Sequence, residues 1–165
     1  MILSSLIWPM MEVVIMDDVM LPEIDDVMDS LDVMLPDNEY VVAKSKDDEQ
    51  LVFGWANIAL MKDGTIPFDW QGDIVPLEVL EKAAYEYVQF YGQTGEEHQG
   101  EAFGKVVESM VFTPQKMACL GIPEGTVHYG WWIGFHIPDK EIFEKIKNGT
   151  YKMFSIQGRT KRVKL

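Results

Sequence analysis

Few residues in this chain could do covalent chemistry. It holds three histidines and one cysteine, and near its end the run YKMFSIQGR places a hydroxyl, Ser155, inside what reads as a strand. Tyr151, Met153, Phe154 and Ile156 favour an extended, partly buried segment, and Gly158 lets the chain bend away. A serine alcohol is a poor nucleophile at neutral pH until a base takes its proton, and neutral imidazole, with a reference pKa of about 6.5, is suited to that task. His98 sits in the polar run GQTGEEHQGEAFG beside Glu96, Glu97 and Glu101, whereas His128 and His136 flank the aromatic strand HYGWWIGFH, where a structural role at a strand end is the simpler reading. Ser155 and His98 are far apart in the chain, as such pairs often are, since geometry and not order defines them. The spacing does not establish contact, and a strand serine is also commonly a small residue bonded to nearby backbone.

Two metal readings fare less well. His98 with Glu97 and Glu101 lacks the helix-borne HExxH spacing of a zinc hydrolase. DWQGD lacks the alternating ligands and terminal Glu of a calcium loop and reads as a turn. No metal and no cofactor is expected. Cys119, flanked by Ala118 and Leu120, reads as a buried structural thiol, and a single cysteine excludes an internal disulfide.

At 165 residues, nearly half of them apolar, the chain can bury one core without staples. Its net charge of −13, from 14 basic and 27 acidic residues, argues against nucleic-acid binding, which needs clustered cations. Arg159, Lys161, Arg162 and Lys164 make only a basic tail. The opening MILSSLIWPMMEVVIM is broken by Pro9 and Glu12 before a membrane-spanning length and has no basic leader, so neither export nor a membrane is expected.

The acidic excess is concentrated before the first basic residue, Lys44. Residues 1–38 form an acidic, methionine-rich arm in which DVMLP occurs twice, at Asp18–Pro22 and Asp32–Pro36. Short helices docking on a partner and an arm folded back on its own domain explain it equally well. Residues 39–165 read as an α+β domain. EYVVAKS and QLVFGWANIAL are strands, PLEVLEKAAYEYVQFYG a helix, GQTGEEHQGEAFG a polar loop and KVVESMVFT a strand. PQKMACLG is a short helix, TVHYGWWIGFHI a strand and PDKEIFEKIKNG a helix, before the strand holding Ser155.

The stretches VFGWANI, DWQGDIVPLEVLEKAAYEYV, GEEH, VVESMVFTPQKMACLGIPEG, GWWIGFHIPDKEIFEKIKNGTY and FSIQGR, in order from Leu51 to Arg159, resemble the XkdF-like phage serine proteases, relatives of prohead (capsid maturation) proteases with an assemblin-like fold. The resemblance implies a mostly antiparallel β-barrel with surrounding helices, Ser155 as nucleophile and His98 as base. The oxyanion would be held by backbone N–H groups around Gln157, Gly158 and Arg159. Assemblin-like enzymes orient the base with a histidine beyond the serine; no histidine or carboxylate follows Ser155 here, so Glu108 is preferred, with His128 and Glu97 as alternatives. The implied activity is cleavage of capsid or scaffold precursor proteins by a homodimer or higher homo-oligomer, in the host cytoplasm within the assembling prohead. A catalytically silent capsid- or scaffold-associated assembly protein, and a metal-dependent hydrolase, are the alternatives.

Overall fold

The computed structural model describes residues 2–6, 12–16, 44–46, 49–68, 73–96, 99–157 and 160–163, and side chains within 49–68, 73–95 and 103–156. The strands are β1 (Ile2–Leu6), β2 (Glu12–Met16), β3 (Lys44–Lys46), β4 (Leu51–Leu60), β5 (Gln93–Glu96), β6 (Gln99–Phe112), β7 (Tyr129–His136), β8 (Met153–Gln157) and β9 (Thr160–Val163). The helices are α1 (Leu77–Phe90), α2 (Pro114–Leu120) and α3 (Lys140–Lys147). No described helix is long and apolar enough to cross a membrane.

Seven strands form one sheet in the order β3-β4-β7-β6-β5-β2-β8, and β1 pairs separately with β9. Every pairing is antiparallel except β2 with β5. This is an α+β arrangement, but the sheet is a curled half-barrel, not the closed barrel expected. The curl brings β8 near β4. The end strands of the sheet are β3 and β8, and among the described residues no ladder joins them, so the barrel stays open.

Alternation decides which side chains enter the core. On β4, Val52 and Ala56 face inward, and on β7 Trp131, Ile133 and Phe135 do so, each buried. They meet Leu80, Ala83, Ala84 and Tyr87 on one face of α1 and Ile142, Phe143 and Ile146 on α3. Each large side chain removed from water contributes roughly 1.5–3 kcal/mol, enough in sum to hold a single sheet against its helices.

The helix boundaries follow their caps. Pro76 precedes α1, and the amides of Tyr91 and Gly92 both return to the Tyr87 carbonyl at its end. Thr113 caps α2 through the Lys116 amide, and Asp139 caps α3 through the amides of Glu141 and Ile142. Only Met117 of α2 is buried, which leaves Cys119 exposed rather than in the core as expected.

Two further expectations change. The polar run after α1 is not a loop: it supplies β5 and the first half of β6. Thr94 is fully buried there because Gly104, its partner in the ladder, has no side chain; a Cβ on Gly104 would lie 2.4 Å from Thr94 Cγ2 and 2.8 Å from Ile137 Cδ1. In the acidic segment, the β-branched run Val13-Val14-Ile15 lets β2 enter the main sheet between β5 and β8, while Ile2–Leu6 pairs with Thr160–Val163. These ten residues are folded back onto their own domain. Residues 17–43 lie outside the described residues.

Candidate active site

Strand β8 holds Ser155 by its neighbours. Phe154 is 3% exposed and meets the Phe135 ring edge-on at 5.4 Å, and Ile156 packs on the same core. The period of two therefore turns Ser155 to the opposite face, where it is half-buried. Upstream, Tyr151 is buried, and its hydroxyl accepts from Lys145 Nζ at 3.1 Å while its amide donates to the Lys145 carbonyl. The end of α3 thus fixes where β8 begins. Across the sheet, Ser155 is opposite Val14, and Val14 is opposite Gly95.

His98, Glu97, Gly158 and Arg159 lie outside the described residues. Gln157 is the last residue of β8 and is paired with Glu12. Glu96 and Gln99, which flank the Glu97–His98 pair in sequence, are paired with each other across β5 and β6. With strands about 4.8 Å apart, the Gly95 backbone is roughly 10 Å from that of Ser155, and Glu96 is the next residue along.

Glu108 is elsewhere. It is exposed on β6 opposite Gly134, three strands from β8 and beyond Lys105, where the β5–β6 ladder ends at Gln93. The register does not bring Glu108 to Ser155. His128 is buried in another setting: its Nδ1 accepts the Lys62 backbone N–H at 3.0 Å, and its ring meets Trp55 edge-on at 5.6 Å. His136 ends β7, half-buried, between Leu51 and Lys105. Among the described residues no three His, Cys, Asp or Glu side chains gather in a metal-holding group.

Strands β4, β6 and β7 carry a second aromatic cluster on the face away from the core. Trp55 lies 5.4 Å from Trp132 and 5.5 Å from Phe112 between ring centroids. With His128, Lys62 and Thr126 they line an open groove of about 340 Å³. From the sequence these aromatics read only as residues of strands. No signal within one segment marks the groove, because the register of β4, β6 and β7 is what brings Trp55, Phe112 and Trp132 together on the face opposite the buried positions.

Electrostatically, the clearest cluster is remote from Ser155. Lys116 Nζ lies 2.8 Å from Glu81 Oε1 and 2.7 Å from the Tyr85 hydroxyl, which itself donates to Glu81 at 2.6 Å. The Lys116 and Tyr85 hydrogen bonds hold the Glu81 carboxyl below its ordinary range. It ties α1 to α2.

No solved structure matches the chain. A curated relative, the uncharacterized protein YqbD of Bacillus subtilis (strain 168), is 29% identical over 119 residues, which is 72% of this chain and 34% of that protein. The chain thus spans about a third of the length of that relative. The family described as "Putative phage serine protease XkdF" matches residues 38–164. That match takes in β3 to β9 together with the strand carrying Ser155, and on it the chain belongs to the XkdF phage serine protease family.

Proposed function

We propose that the protein is a serine endopeptidase in which Ser155 is the nucleophile and His98 its general base. The observation that carries this reading is the setting of Ser155: a half-buried hydroxyl on the non-core face of β8, locked by Phe154 and Ile156, in a family of phage serine proteases. The Ser155–Val14–Gly95 row supports it, because the strand that leads to His98 runs two strands away.

In this reading Ser155 Oγ attacks the peptide carbonyl carbon and its proton passes to His98. The tetrahedral oxyanion is held by backbone N–H groups following the nucleophile, at Gln157, Gly158 and Arg159. His98 then gives the proton to the departing amine, the C–N bond breaks, and water hydrolyses the acyl-serine with His98 again as base. Glu108, the residue preferred from the sequence to orient His98, lies on β6, three strands from Ser155, and its relation to His98 falls outside the described residues. The substrates are capsid or scaffold precursor proteins during prohead maturation, cleaved by a homodimer or higher homo-oligomer inside the assembling shell.

The test is co-expression of the full chain with its capsid and scaffold precursors, together with labelling by a fluorophosphonate read by intact mass and peptide mapping. Cleavage and a covalent adduct on Ser155, both lost in Ser155→Ala and cleavage lost in His98→Ala, are expected. Normal particle assembly in both variants, with no adduct in the wild type, would identify a silent assembly protein. Chelator-sensitive cleavage that survives Ser155→Ala would identify a metal hydrolase.

A further inference from the structure

Strand β8 carries Ser155, and among the described residues the one ladder it makes is to β2. The register runs the full length of both strands: Glu12 is opposite Gln157, Val13 opposite Ile156, Val14 opposite Ser155, Ile15 opposite Phe154 and Met16 opposite Met153. Among the described residues β4 comes near β8 without a ladder to it. On its other edge β2 runs parallel to β5, with Val13 opposite Thr94 and Ile15 opposite Glu96. β2 thus joins the strand of Ser155 to the rest of the sheet, yet it lies outside residues 38–164, the part of the chain that the family match covers.

Packing and ladder fix different coordinates of Ser155. Phe154 and Ile156, held on the core, choose the face to which Ser155 turns. That choice survives a slip of two residues, because side chains alternate with a period of two, but such a slip carries the serine about 7 Å along the strand. The ladder to β2 opposes it, since sliding breaks the hydrogen bonds of all the pairs together. β2 also sets the lateral spacing. With β2 in place, β8 lies two strand widths from β5, roughly 10 Å; paired directly, the two would be about 4.8 Å apart. A misplacement of about 1 Å already costs on the order of 100-fold in a reaction that depends on positioned groups.

We infer that Glu12–Met16 is a positioning strand for the nucleophile, whose main chain sets the register and lateral place of Ser155. The N-terminal segment then belongs to the active site although it precedes the matched region. The inference rests on the reading of Ser155 as the nucleophile. Because the main chain does the positioning, the strand tolerates a change of side chain but not the loss of an amide. Val14 lies between two paired strands, so a proline there forfeits a ladder bond on one side or the other.

The test compares Val14→Pro with Val14→Thr, a β-branched replacement that keeps its amide, in the full-length chain. Ser155 reactivity is read as the limiting rate and half-saturation of fluorophosphonate labelling, and the fold by near-UV circular dichroism and hydrogen exchange of β7, three strands from β2. Val14→Thr is expected to label at the wild-type rate. Val14→Pro should keep the protection of β7, exchange faster over Met153–Gln157 and lose at least about 100-fold in the limiting rate. Undiminished labelling in Val14→Pro overturns the inference and leaves the peptidase reading standing. An equal loss in Val14→Thr places the effect in the side chain and overturns it too. No label on wild-type Ser155 overturns the peptidase reading and the positioning role with it. A second arm needs no proline: Met16→Cys with Met153→Cys in a Cys119→Ser chain ties β2 to β8 at paired positions when oxidised. The locked chain should still be labelled at urea concentrations, below global unfolding by tryptophan emission, at which the reduced chain no longer is. Loss of labelling at the same urea concentration in both forms would overturn the inference.

Discussion

Phe154→Ala tests the link between packing and site position directly. Phe154 is 3% exposed, and its ring rests against Phe135 with centroids 5.4 Å apart at 68°. Truncating a buried phenylalanine removes apolar burial, leaves a cavity and here also loses an edge-to-face ring contact; together these cost about 4 kcal/mol. For a urea slope of about 2 kcal/mol/M, the unfolding midpoint, followed by tryptophan emission, should fall by about 2 M with the slope unchanged. Phe154→Leu keeps most of the volume and should cost about 1.5 kcal/mol, which covers the case of an Ala variant too weak to purify. Ser155→Ala is the internal control. Its side chain is small, half-buried and on the other face, so its midpoint should shift by less than about 0.5 M. A Phe154→Ala loss under about 1 kcal/mol would mean that β8 is not docked through this ring. The account of how Ser155 is held would then fail.

Other outcomes follow from the same geometry. Gly130 sits where a Cβ would lie 2.4 Å from the Asn57 carbonyl oxygen, a backbone atom that cannot swing aside, so Gly130→Ala should separate β4 from β7 locally and cost upward of about 2 kcal/mol by chemical denaturation. The Glu81 carboxyl is held low by Lys116 and Tyr85, so its contribution is fully present above the ordinary carboxylate range and disappears as pH falls through its lowered value. Lys116→Met should therefore cost no more than about 1 kcal/mol at pH 7, since the pair is partly exposed, and the difference from wild type should shrink toward pH 3. Asp139→Ala removes a carboxylate that accepts from the Glu141 and Ile142 amides at 2.8 and 3.1 Å and should lower stability by about 1 kcal/mol, or Tm by roughly 2–4 °C, with Asp139→Asn recovering most of it.

Several elements were legible residue by residue because their signals are local. Thr113-Pro114 and Asp139 announce helix starts, and the β-branched and aromatic residues of LVFGWANIAL announce a strand. Ser155 was readable as a strand hydroxyl because Phe154 and Ile156 flank it. Other features were hidden for identifiable reasons. Gly92–Gly104 reads as a loop since its glycines and charged residues carry no β signal, yet Thr94 is buried where Gly104 makes room. Cys119 looks like a core thiol from its apolar neighbours, but α2 turns only Met117 inward. Glu108 drew notice as a carboxylate among apolar strand residues; its exposure and its distance from β8 follow from register, which one segment does not encode.

By itself, then, the amino-acid sequence determined the three helices, the long strands, the family and the identity of the hydroxyl most worth testing. Tertiary structure alone decided that β2 slips between β5 and β8, that the sheet stops short of closing, and that Trp55, Phe112 and Trp132 converge on one groove. The physical reason is that caps and periodicity act over a few residues of one segment, whereas strand neighbours are chosen by hydrogen-bonding edges and side-chain volumes contributed from opposite ends of the chain.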